Sequence, residues 1–143
     1  MSFQAAEADR RLTNLIQVGT VASVDPGRAR AAVTVGDITV PQAVVGQLRA
    51  GALSFWWMPQ VGEQVVILCP GGDMARAIIL CSLFAGDAPS ADAGIPLLAL
   101  GGGTLRLDGT LEVTGDVVAG GISLTGHIHG GIAPGAATTR GPQ

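Results

Sequence analysis

From Thr104 to Asp116 every even-numbered residue is polar, while Leu105, Leu107, Leu111 and Val113 occupy odd positions. Glycine recurs at 103, 109, 115 and 121, so the segment beats with a period of six through Val117-Val118-Ala119-Gly120-Gly121. Alternation of this kind describes a narrow β-ribbon with one apolar side, bent at each glycine. Three hexads make about one coil of a left-handed β-helix, and an isolated coil leaves its faces in water. The ribbon is therefore expected to bury Leu105, Leu107, Leu111, Val113 and Val117 against other chains. Three chains wound about a common axis, a homotrimer, do so and also protect the strand edges.

Upstream the pattern differs. Residues 3–16 read as a helix, with Leu12, Leu15 and Ile16 at i, i+3, i+4 among Glu7, Asp9, Arg10 and Arg11. Such a short helix is marginal alone, so it is expected to rest on the next domain or on a partner. Residues 17–86 read as all-β: strands over 17–24, 28–35, 38–40, 64–69 and 75–83, with turns at Asp25-Pro26-Gly27, Gly36-Asp37 and Pro70-Gly71-Gly72-Asp73. About five short strands in such a span suit a small closed barrel such as the OB-fold. Residues 87–98 are a linker of small residues without periodicity. The predicted organisation is thus a helix over 1–16, a barrel over 17–86, a linker over 87–98 and a ribbon with its tip over 99–143.

Composition narrows the function classes. Apolar residues make up 48% of the chain, with 22 glycines and 8 prolines favouring strands and turns. The N-terminus is polar and acidic where a signal peptide would be basic, and no apolar run is long enough for a membrane helix. A soluble protein made in the cytoplasm is the expectation. Eight arginines, no lysine and eleven carboxylates give a net charge of −3, with the arginines scattered along the chain. Nucleic-acid binding needs a concentrated basic face and is not expected. Phe55-Trp56-Trp57 reads as a hydrophobic contact surface or a buried turn. Cys69 and Cys81, each in an apolar run, are expected in the core as free thiols.

The candidate chemistry lies near the C-terminus. His127 and His129 are the only two histidines, one residue apart in Gly126-His127-Ile128-His129-Gly130. The ordinary reading of a bare His-x-His is a pair of solvated loop residues. In an extended strand, however, the two side chains share one side and can aim at one point. Imidazole pairs suit iron, nickel, copper or zinc. Three copies at the end of a threefold ribbon would supply six nitrogens, a complete octahedral shell.

Several segments together resemble the baseplate assembly protein V family, the central spike of contractile-tailed bacteriophages. They are Leu12-Thr13-Asn14-Leu15-Ile16-Gln17-Val18-Gly19-Thr20-Val21, then Trp57-Met58-Pro59-Gln60-Val61-Gly62-Glu63-Gln64-Val65, then Pro70-Gly71-Gly72-Asp73, and the terminal His-x-His. The resemblance covers nearly the whole chain. It implies an all-β architecture: an OB-fold followed by an intertwined triple-stranded β-helix, here reduced to a stub with its tip. It also implies that His127 and His129 of three chains bind one iron ion; by donor chemistry alone nickel or zinc remains open. A virion component at the baseplate tip follows, assembled in the host cytoplasm. Its implied partners are two further copies, a baseplate hub protein, the tail tube and the host bacterial outer membrane.

A structural spike and a metal-dependent enzyme are the two function classes to weigh. Catalytic metal sites usually hold a third protein ligand and a positioned acid or base. The nearest acids, Glu112 and Asp116, fall on the polar side of the ribbon. No Gly-x-Ser-x-Gly, His-Glu-x-x-His or Gly-Lys-Ser/Thr motif occurs. A spike without catalytic residues is the expectation, whether of a phage or of a phage-derived injection or secretion machine.

Overall fold

The computed structural model describes residues 2–128, in two compact units that divide between Leu97 and Leu98. In the first unit, helix α1 (Phe3–Thr13) starts at Ser2, whose hydroxyl accepts from the Ala5 amide at 3.2 Å. Glu7 then takes Arg10 and Arg11 at 2.9 and 2.7 Å, one and two residues past the i+2 position that would face away. The helix stops at Thr13, short of the expected Ile16. Ile16 instead opens strand β1 (Ile16–Asp25) opposite Leu68, so the stripe of Leu12, Leu15 and Ile16 does not form. No residue of α1 is buried. The helix rests through its backbone on the turn at residues 70–72, where the Gly72 Cα faces Arg11.

Four more strands complete a closed barrel: β2 (Arg30–Val35), β3 (Ile38–Val45), β4 (Gln64–Leu68) and β5 (Ile78–Leu83). Their order is β1-β2-β3-β5-β4, with β4 returning to β1, and only the short β3–β5 contact is parallel. This is the arrangement expected of an OB-fold. Alternation sends Val21, Ala31, Val33, Val65 and Ile67 inward, and Cys69 continues that inner row just past β4. Val40 and Ala43 both point inward although three residues apart, because β3 bulges over Pro41-Gln42 against β2. A bulge is where proline is tolerated within a ladder.

Another bulge corrects the expectation for Cys81. The β4–β5 register shifts between Val66 and Ile67, which sets Cys81 opposite the outer-facing Val66. Cys69 is therefore buried and Cys81 exposed, both as free thiols.

The quoted motif around Gly62 builds the entry to β4. Gly62, at φ +92°, donates its amide to the Val21 carbonyl at 2.8 Å. Glu63 accepts from the Gln60 amide at 3.0 Å and from the Ser82 hydroxyl at 2.7 Å, tying the turn to β5.

In the second unit no helix or strand runs from Leu98 to Val117. The apolar positions of the hexads are open: Leu105, Leu107, Leu111, Val113 and Val117 range from 39 to 66% exposed. The third hexad departs from the ribbon pattern. Val118–Ala119 (β6) pairs back with Ile122–Ser123 (β7) as a hairpin. The turn between them is Gly120-Gly121, with φ of +58° and +84°, the two left-handed positions that a tight type I′ turn demands.

Candidate metal centre

The residues around this hairpin converge on His127. Asp116 stands just before it, and one carboxylate oxygen accepts from the Val117 amide at 2.8 Å and the Thr125 amide at 3.0 Å. The Ser123 and Thr125 side chains also act on this carboxylate. Together, with Ser123 contributing most and the Thr125 amide next, they hold the Asp116 carboxyl down at about 2. The Ser123 hydroxyl in turn accepts from the Gly126 amide at 2.7 Å. The Leu124 amide bonds the Val117 carbonyl at 2.8 Å, closing the loop from the other side.

His127 is seated on the product of that closure. Its backbone amide donates to the Ser123 carbonyl at 3.2 Å. Its ring Nδ1 lies 3.0 Å from the Ser123 carbonyl oxygen and 3.1 Å from that of Leu124. A carbonyl oxygen can only accept, so Nδ1 carries the proton and the neutral ring has its lone pair on Nε2. This pattern, one ring nitrogen on a backbone carbonyl, is how metal-ligating histidines are usually oriented. The donor chemistry at His127 therefore fits a first-row metal ion.

His129 lies outside the described residues. Among the described residues no cluster of three or more His, Cys, Asp or Glu side chains forms within one chain. A site built on His127 needs donors from beyond that set. Asp116, one of the two acids weighed for catalysis, is committed to hairpin amides and hydroxyls and is kept ionised. That makes it a poor proton donor near neutral pH.

The barrel carries a second candidate surface. Phe55, Trp56 and Trp57 are 42, 56 and 45% exposed, which favours the contact surface over the buried turn. The Gln47 side chain donates to the Trp57 carbonyl at 3.0 Å and accepts from the Trp57 amide at 2.9 Å, clamping this loop. Neither the Gln47 clamp nor the Asp116 closure was visible as a motif. For Asp116 the available signal was an Asp immediately before a β-branched pair and a Gly-Gly turn.

A family described as the type VI secretion system/phage-baseplate injector OB domain matches residues 17–84, the span of the barrel. A second family, described as the GpV Apex motif, matches residues 121–143, beginning at the Gly-Gly turn and including His127 and His129. A curated relative, the spike protein of Escherichia phage P2, is 37% identical over 84 residues. That match takes in 59% of this chain and 40% of the phage protein's length. Similarity to an injector OB domain and to an apex motif thus falls on one chain, on either side of the glycine-punctuated stretch.

Proposed function

We propose that this chain is the central spike of a contractile-tail baseplate, a homotrimer whose metal-capped tip pierces the outer membrane of a host bacterium. The observation that carries the proposal is the open apolar row of the hexads. Leu105, Leu107, Leu111, Val113 and Val117 are all substantially exposed in the single chain, directly between an injector OB domain and an apex motif. Leaving such side chains in water costs about 1.5–3 kcal/mol each, and winding three ribbons together recovers that free energy.

His127 and His129 of the three chains hold one iron ion in this reading. Six imidazoles suit an octahedral ion better than zinc, which takes four ligands in structural sites. When bound, the ion cross-links three chain ends, which otherwise fray. No catalytic residue is assigned. The partners are the baseplate hub and tail tube at the barrel end and the host outer membrane at the tip, placing the protein at the distal end of the virion.

A second reading, the spike of a phage-derived injection or secretion machine, is favoured by the matched family itself, whose description spans type VI secretion systems and phage baseplates. The chemistry of the spike is the same in both.

Sedimentation equilibrium combined with elemental analysis tests the proposal. A trimer mass with one iron per three chains is expected. A folded monomer at micromolar concentration overturns the spike, and one metal per chain with exchangeable water points to an enzyme instead.

A further inference from the structure

The Asp116 closure is built around the segment that seats His127. The Ser123 and Leu124 carbonyls that accept from Nδ1 sit on the strand and turn that Asp116 gathers. The Thr125 amide, between those carbonyls and the histidine, is bonded directly to the Asp116 carboxylate. We infer that Asp116 is a positioning residue for the metal ligand His127: by closing residues 116–125 it presents two carbonyls to Nδ1–H and so fixes the tautomer whose Nε2 can ligate a metal.

The inference rests on the metal reading proposed above and adds to it a residue and a ring nitrogen. An imidazole in water favours the opposite tautomer, with the proton on Nε2 and the lone pair beside the ring's own backbone. Two carbonyls at 3.0 and 3.1 Å reverse that preference. Without Asp116 the Val117 and Thr125 amides turn to water, and among the described residues the Leu124–Val117 bond and the two-residue ladder are left to hold the hairpin. The carbonyls then lose their fixed place. In a trimer the error occurs once per chain, at every chain's contribution to the shared ion.

The test uses the full-length protein with Asp116→Ala and Asp116→Asn. Both amides bond the same carboxylate oxygen, so Asn retains that acceptor while Ala removes it. Iron retention is followed against a chelator by elemental analysis. Proton-detected nitrogen NMR of the iron-free protein reads which ring nitrogen of His127 is protonated.

Wild type is expected to show Nδ1–H. D116A is expected to shift toward Nε2–H and to lose about 10–100-fold in iron affinity, the usual cost of removing an outer-shell partner. D116N should stay near wild type in both. Iron retention and tautomer unchanged in D116A overturn the inference while the metal reading survives. A wild-type protein that takes up no iron overturns the metal reading, and the inference with it. Should D116A fail to assemble, Ser123→Ala, which removes a single hydroxyl of the closure, carries the same two measurements with the same expected directions.

Discussion

Gly72 lies against the backbone of Arg11: a side-chain carbon placed on Gly72 would come within 2.5 Å of the Arg11 Cα. Gly72 is buried and has φ +72°, so helix α1 docks on a spot that tolerates no side chain. A helix of this length is not stable by itself, and this contact holds it to the barrel.

Gly72→Ala is therefore expected to release α1. The neighbouring Gly71 provides the control, since it has φ +69° but open space around it. Alanine in the left-handed region costs about 1–2 kcal/mol at either position. Each kcal/mol lowers the melting temperature by about 4–8 °C in a domain of 60–100 residues. G72A should fall further than G71A, and hydrogen exchange should show loss of protection in α1 for G72A alone. Equal melting losses with α1 still protected would show that the docking contributes nothing.

Leu111→Asp probes the ribbon. At 66% exposure in the single chain the change is harmless there, but in a wound trimer it brings three carboxylates to one apolar axis. Sedimentation is expected to shift from trimer to monomer, with the barrel's melting transition unchanged. An intact L111D trimer would place the interface elsewhere.

Glu7 gives a pH prediction. Hydrogen bonds from Arg10 and then Arg11 lower its carboxyl from 4.5 to about 2. A carboxyl depressed in the folded state stabilises above its unfolded value and loses that contribution as pH falls through the folded one. The α1 contribution should thus be complete above pH 4.5 and gone near pH 2, and small because the pair is exposed and screened by salt. Carbon NMR of the Glu7 carboxyl should titrate near 2 in wild type and move up in Arg10→Gln. A midpoint unmoved by that substitution would remove Arg10 as the cause.

The barrel was legible because its inner row follows simple alternation, as in Ala31 and Val33 or Val65, Ile67 and Cys69. Alternation fails where register slips. The bulge beside Val66 turned Cys81 outward, and nothing in Ile78-Ile79-Leu80-Cys81 announces it. The end of α1 was hidden for a related reason: Leu15 and Ile16 fit a helical period, yet Ile16 answers to Leu68 across the ladder. A period reads local geometry, whereas a ladder depends on residues far along the chain. At the tip, the histidines stood out by composition alone. The Asp116 closure did not, because its meaning comes from backbone amides, which carry no letter in a sequence.

The Gln47 clamp has a consequence for how the barrel's aromatic loop would meet a partner. By offering one donor and one acceptor to the Trp57 backbone, the Gln47 amide does for this loop what a neighbouring strand would do. The backbone under Phe55, Trp56 and Trp57 is thereby ordered before any encounter. Association at this surface would then pay little entropy for ordering the loop backbone, one of the costs that offset contact energy. A flexible loop bearing the same three side chains would bind more weakly through an identical set of contacts.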